Sequence, residues 1–236
     1  MRVSLKTLII ILVLSSGFSG LSIQQKQNNP PVVKLSLSAK EKFLKWSSLV
    51  PYSISVSDAE DGKSEYNEGV SNEVLLEIRF VSDSTMAKKF VPKNDAVIHE
   101  VPLRMGKALC FSCHGVKTKI IGPSFEQIAK RYKGSPHVED SLSARVIRGS
   151  TGNWSEVKMP PHPDLKKNDV VEIVRWILKN GDDPDLNYFV GLQGAFRTKE
   201  KPIEPSSGGA YILTAVYNDR GPEVRQGRNT VVLGVR

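Results

Sequence analysis

Cys110-Phe111-Ser112-Cys113-His114 holds the only two cysteines of the chain, three residues apart and followed at once by an imidazole. Thiols at that spacing can add across the two vinyl groups of a haem, and a histidine directly after them is placed to ligate the iron; Cys-x-x-Cys-His is the attachment pattern of c-type haem. A bare Cys-x-x-Cys also suits a redox dithiol or half of a zinc site. Zinc requires two further ligands at finger-like spacing, and His137 and His162 do not supply it.

Downstream come Ile121-Gly122-Pro123-Ser124-Phe125, then Arg145-Val146-Ile147-Arg148-Gly149 with Trp154 five residues on, then Lys158-Met159-Pro160-Pro161, and finally a helical pattern carrying Trp176. In this order, over about Pro102 to Gly181, they resemble the class I bacterial cytochromes c of the c-551/c-552 type. The resemblance implies one covalently attached haem c. It implies that the Pro123 carbonyl takes the Nδ1 proton of His114, fixing which nitrogen meets the metal, and that Met159 is the second axial ligand. It also implies that Arg145 and Trp154 hydrogen-bond a haem propionate, for which their donors are suited.

Each residue has a plainer reading. Met159 as core filler is ordinary use of methionine, but it precedes two prolines in a segment without helical periodicity, the setting of a loop that holds one side chain in place. His162, three residues on, is the rival ligand, with a surface loop position as its plainer reading. Arg145 reads as a helix-surface arginine and Trp154 as a half-buried indole. His99 and His137 are expected to be solvated. A thioether is a soft, neutral donor, so a His/Met pair raises the reduction potential. With both axial positions filled by protein, outer-sphere transfer of one electron is expected, and no enzymatic step.

The elements that position these residues are helical. Pro102 suits a first helical position, with a helix over Leu103 to Phe111 in which Gly106 leaves room for another helix. Ser124 and Gln127 make a capping box for a helix to Tyr132. A short helix is expected from Val138 to Arg148, ending at Gly149. Val170, Val174, Ile177 and Leu178 share one face of a last helix over Asn168 to Asn180; there the resemblance implies that Trp176 packs against the first helix.

At 236 residues the chain exceeds one such domain. Met1 to Lys6 is basic, Leu8 to Leu14 is apolar and small residues follow to Gly20, which has the form of a signal peptide, assigned to 1–22. Haem attachment to cysteine implies the same compartment, so the expected location is periplasmic or otherwise exported, in a bacterium, with membrane attachment only if the N-terminal segment is uncleaved. The formal net charge is +8. Lys107, Lys117, Lys119, Lys130, Arg131, Lys133 and Lys158 form a candidate basic rim that steers an acidic redox partner; a diffuse solvated charge explains them as well. Nothing resembles a nucleic-acid module.

Outside the helical region apolar residues alternate. Val33, Leu35 and Leu37, then Tyr52, Ile54 and Val56, then Val74, Leu76, Ile78 and Phe80 read as half-buried strands, the last with Leu75, Glu77 and Arg79 on its other face. Asn29-Pro30-Pro31 and Ser57-Asp58-Ala59-Glu60-Asp61-Gly62 resemble the start of the PKD-like, immunoglobulin-type modules of exported bacterial proteins, and 209–219 with 230–235 look like its last strands. The expected fold is multidomain α plus β, an all-α cytochrome c domain inserted in, or following, an immunoglobulin-like β-sandwich. The boundaries are 30–82 for the first part of the sandwich, 83–101 for a linker, 102–181 for the cytochrome c domain and 188–236 for the strands that complete the sandwich. Asp58, Glu60 and Asp61 offer hard oxygens to a calcium ion, or simply a solvated acidic turn. Two functions remain: an electron carrier accepting electrons from an acidic periplasmic dehydrogenase or oxidase, and a surface carbohydrate- or protein-binding module with an accessory haem. The second needs exposed aromatics on one face, for which Trp46, Tyr52, Tyr66, Tyr211 and Tyr217 are the candidates.

Overall fold

The computed structural model describes residues 28–37, 43–66, 68–93, 97–203 and 208–236. The signal-peptide segment 1–22 lies outside them, as does the Tyr66 side chain. Among the described residues no helix is long and apolar enough to cross a membrane.

Alternation builds two sheets. In the first, β1 (Val32–Leu37), β4 (Gly62–Lys63) and β7 (Gln193–Arg197) each pair antiparallel with β3 (Leu49–Asp58). The second runs β2 (Phe43–Leu44), β9 (Gln226–Val235), β8 (Ala210–Asn218), β5 (Leu75–Val81), β6 (Leu186–Val190), antiparallel except for the β2–β9 pair. Every second residue of β3 is buried, as period-two side chains on one buried face require. Val33, Leu35, Val50, Tyr52, Ile54 and Val56 of the first sheet share one core with Leu76, Ile78, Leu213, Ala215 and Tyr217 of the second. The two sheets therefore pack face to face.

The helices α1 (Glu100–Lys107), α2 (Cys110–Cys113), α3 (Phe125–Tyr132), α4 (Val138–Arg148) and α5 (Lys167–Asn180) lie in sequence between β5 and β6, which are hydrogen-bonded neighbours from Leu75↔Val190 to Arg79↔Leu186. They cover the outer face of the second sheet. Leu75, Leu186, Tyr188 and Val216 join Leu103, Met105, Val116, Phe125, Ile173 and Ile177 in a second core. This corrects the expectation that β5 is half-buried: Leu75 is 1% and Glu77 7% exposed, because a helical layer stands where alternation alone implies water.

The first expected helix is broken in two. Leu109 adopts φ 59, a left-handed conformation that costs a leucine roughly 1–2 kcal/mol, and the chain turns there into α2. Gly106 receives not a helix but backbone: a Cβ on it would stand 2.7 Å from the Asn72 carbonyl oxygen. Trp176 meets Tyr188 of β6 edge-on at 5.2 Å. The capping box is present, Ser124 and Gln127 each bonding the other's backbone N–H. Within 83–101, residues Ser84–Phe90 form a 3-10 helix capped by Asp83.

His99 is not solvated. It precedes α1 with its side chain 15% exposed, Nδ1 at 3.4 Å from Glu77 Oε2 and its ring edge-on to Tyr188 at 5.7 Å. Glu77 also accepts the Tyr188 hydroxyl at 2.5 Å and faces Arg79 at 3.6 Å. A small polar network is thus sealed between sheet and helices.

Two outcomes follow from this packing. Leu213 of β8 is fully buried, so Leu213→Ala should cost about 2–5 kcal/mol, read as a lower urea midpoint at unchanged m-value. Burial holds the His99 imidazole below its ordinary value, with Arg79 and Arg228 lowering it further and Glu77 opposing. The unfolded chain therefore binds that proton more readily, so the stability contributed by neutral His99 is complete above about pH 6.5 and is lost as pH falls from there toward the folded pKa. Urea unfolding of His99→Gln should show less loss between pH 7.5 and 5.5 than the parent chain.

Candidate haem-attachment site

The site is built from turns. In α2 the two cysteines occupy the ends of one helical turn, closed by His114 N–H donating to Cys110 O at 2.9 Å. Both thiols are free and half-buried, and burial pushes the Cys110 thiol up to about 11. The chain then loops back, with Ile121 N–H and Gly122 N–H both donating to Cys113 O, at 3.1 and 2.9 Å. This return lays Gly122 against the His114 ring, where a Cβ would stand 2.4 Å from Cε1. Only glycine permits that approach.

His114 is 9% exposed and stacks on Phe125 at 5.7 Å with an interplanar angle of 18°. Its Nδ1 lies 2.7 Å from the Pro123 carbonyl oxygen. A carbonyl only accepts, so Nδ1 carries the proton and Nε2 presents its lone pair. Burial holds this imidazole below its ordinary value, the Pro123 bond opposing and the His162 charge adding to the depression. The His162 backbone N–H is tied to Val146 O at 3.1 Å.

Met159 is pinned by its main chain. It exchanges two hydrogen bonds with Ser150, at 2.8 and 3.1 Å. Gly149 ends α4 at φ 80, and a Cβ there would lie 2.8 Å from Met159 O. Arg145 and Trp154 are brought together through a residue the sequence reading passed over. Arg145 Nη1 donates to the Tyr132 hydroxyl at 3.1 Å, and Trp154 meets Tyr132 edge-on at 6.2 Å. Arg131 caps the cluster, its guanidinium 4.5 Å over the Trp154 ring. An Arg-Tyr pair closing α3 was the available signal, hidden because the arginine reads as a surface charge.

The basic rim is largely engaged. Lys107, Lys130 and Lys133 pair with Glu73, Glu126 and Asp182 at 3.7, 2.8 and 2.8 Å. Lys117 donates to the backbone oxygens of Gly181, at 3.1 Å, and Asp183. Arg131 is stacked, and Lys119 and Lys158 have no ion pair among the described residues, so the focused patch reduces to few positions.

The donor set fits a covalently held haem. Two free thiols span one turn, an imidazole is oriented through its other nitrogen, and glycines stand where any Cβ would collide with the His114 ring or the Met159 backbone.

Comparison with known proteins places this site. Residues 105–181 match the family model Cytochrome c. Cytochrome c-551 of Allochromatium vinosum is 39% identical over 72 residues, 30% of this chain and 77% of that protein; cytochrome c-552 of Hydrogenobacter thermophilus is 33% identical over 69 residues, 29% and 69% of the two chains. Among solved structures, Nitrosomonas europaea cytochrome c552 aligns at 32% identity over 32% of this chain and 93% of that one, with a TM-score of 0.31. Through the segment that carries Cys110, Cys113 and His114, the chain belongs to the cytochrome c family and is an electron-transfer protein with covalently attached haem c.

Proposed function

We propose that this protein is an exported one-electron carrier whose haem is bound through thioethers to Cys110 and Cys113 and ligated by His114 Nε2 and the Met159 sulfur. The observation that carries the reading is the His114 Nδ1 to Pro123 carbonyl bond of 2.7 Å, which leaves one nitrogen for the metal and raises the basicity of the ring. When bound, the haem supplies an iron that cycles by one electron. The chain's own residues would hold it, His114 and Met159 as ligands to the iron and Cys110 and Cys113 as anchors, while Arg145 would neutralise a propionate and the Trp154 indole N–H would donate a hydrogen bond to it. The Ser150–Met159 bridge supports Met159 over His162 as the second ligand, since it fixes the residue in a loop with no other task.

Residues 102–181 form the cytochrome c domain, 30–82 and 188–236 together make a PKD-like, immunoglobulin-type sandwich, and 83–101 connects them. Thioether attachment supports a periplasmic location, and the basic start and apolar run of 1–22 support its removal as a signal peptide. The partner is a dehydrogenase or oxidase that delivers electrons, and Lys119 and Lys158, without ion pairs among the described residues, are the cations left to meet an acidic surface on it. The carbohydrate-binding alternative is disfavoured because, of its candidate aromatics, Tyr52, Tyr211 and Tyr217 are 5%, 3% and 0% exposed and Trp46 packs edge-on against Phe80.

Denatured protein should retain its haem, and the oxidised native form should show the weak sulfur-to-iron charge-transfer band in the near infrared. Met159→Ala should abolish that band and lower the potential, whereas His162→Ala should leave both; the opposite result assigns the position to His162. The reduced parent protein should bind carbon monoxide slowly and incompletely, and fast stoichiometric binding would sink the closed-shell reading. Gly122→Ala should displace the His114 ring at a cost of about 1–3 kcal/mol, seen as moved hyperfine-shifted imidazole resonances in the oxidised protein.

A further inference from the structure

We infer that the end of the sandwich formed by Asn28, the Asp58–Asp61 turn and Asp219 is a calcium site, independent of the haem. Asp58 is 7% and Asp219 0% exposed. Burying a carboxylate is costly unless hydrogen bonds or a cation meet it, so what surrounds each oxygen decides the matter.

Asp219 is met by hydrogen bonds alone. Its Oδ1 accepts from Gly221 and Arg225 N–H at 3.3 and 2.9 Å, and its Oδ2 accepts from Asn28 Nδ2 at 2.8 Å. Asp61 Oδ2 accepts from the Tyr217 hydroxyl and from Arg220 N–H, each at 2.9 Å. Asp58 is only half met. Its Oδ1 takes the N–H groups of Glu60 and Asp61 at 2.8 and 2.7 Å, while Oδ2 is buried with no hydrogen-bond partner, and so is Asn28 Oδ1.

No ion pair reaches Asp58, Asp61 or Asp219 among the described residues. The Arg220 guanidinium is turned to Glu73, at 3.2 Å through two nitrogens, and Arg225 faces Glu223 at 3.6 Å. Backbone and side-chain bonds tie the pieces into one unit: Asn28 to Asp219, Arg220 N–H to Asp61, and Asp61 N–H to Asp58. Two buried oxygens without donors, one anionic and one amide, thus remain at an end of the fold where three aspartates carry charge without a countercharge of their own.

Hard oxygens of this mixed kind suit calcium, which accepts six to eight carboxylate, amide, carbonyl and water ligands in irregular geometry; magnesium demands a tight octahedron. No three Asp, Glu, His or Cys side chains among the described residues close a cage by themselves. The proposed ligands are therefore Asp58 Oδ2 and Asn28 Oδ1, completed by main-chain oxygens and water. Asp61 and Asp219 act as positioning residues, holding the turn and the Asn28 amide.

The test uses the full-length holoprotein, stripped with EDTA, and calcium chloride as the probe. Calorimetric titration should give one site, half-saturated at about 0.1–1 mM as for flexible sites of this type, and a calcium-dependent rise in the sandwich melting midpoint that magnesium does not reproduce. Asp58→Asn keeps the acceptor of the turn and removes the charge. It should melt at or above the parent without calcium, weaken calcium binding at least tenfold, and fall below the parent with calcium; Asn28→Ala should weaken binding without that gain in the calcium-free state. No response of the parent to millimolar calcium, or equal binding by parent and Asp58→Asn, overturns the proposal. So does an Asp58→Asn midpoint lowered equally with and without calcium, which marks a turn residue only. The haem Soret band, unchanged throughout, separates this result from any failure of the electron-transfer reading.

Discussion

The second sheet has two apolar faces, and everything else is arranged to cover both. All but the last residue of β8 is buried, with Leu213, Ala215 and Tyr217 turned to the first sheet and Val216 to the helices. An edge-to-edge sheet left open on one side would expose Leu75, Leu186 and Val216, each worth about 1.5–3 kcal/mol on burial. The helical unit closes that face as a third layer. Since its ends leave β5 and enter β6, which are hydrogen-bonded to each other, it is held at both termini as well as by contact. The haem unit is fixed to the sheet and does not swing on a tether.

Inside that unit the proposed ligands are set by backbone more than by core. His114 is oriented by one carbonyl, one glycine and one stacked ring; Met159 is set by a two-bond bridge and a glycine at positive φ. Main-chain hydrogen bonds and steric exclusions tolerate little drift, whereas packed side chains can exchange rotamers. Preorganisation of this type suits electron transfer, where a small change of ligand geometry between oxidation states keeps the reorganisation cost low.

The attachment motif, the capping box of α3, the extent of α4 and the alternation of β3 were legible in the sequence because each depends on neighbours within a few residues. What was not legible depends on distant partners. Glu77 and Arg79 looked like a solvated strand face; His99 and Tyr188, 22 and 111 residues from Glu77, turn that face into a sealed network. Arg131 and Tyr132 read as an ordinary charged end of α3, and their role depends on Arg145 and Trp154, which α4 and the loop after it place beside them. The break at Leu109 was hidden because leucine is a good helix former, and only the need to turn α2 away from α1 displaces it.

The acidic end and the haem turn meet at one point. Glu73 bonds Arg220, whose N–H is held by Asp61, and also faces Lys107, three residues before Cys110. That ion pair couples them weakly, because Lys107 is 47% exposed and exposed pairs contribute about 0–1 kcal/mol. The neighbouring contact is stiffer. Asn72, one residue before Glu73, presses its carbonyl against Gly106 so closely that no Cβ fits between them, and a steric wall of backbone against backbone is not screened by solvent. The 58–61 turn is tied to Glu73 only through the surface Arg220, so its ordering stops there, while the wall between Asn72 and Gly106 holds α1 in place whatever the state of that turn.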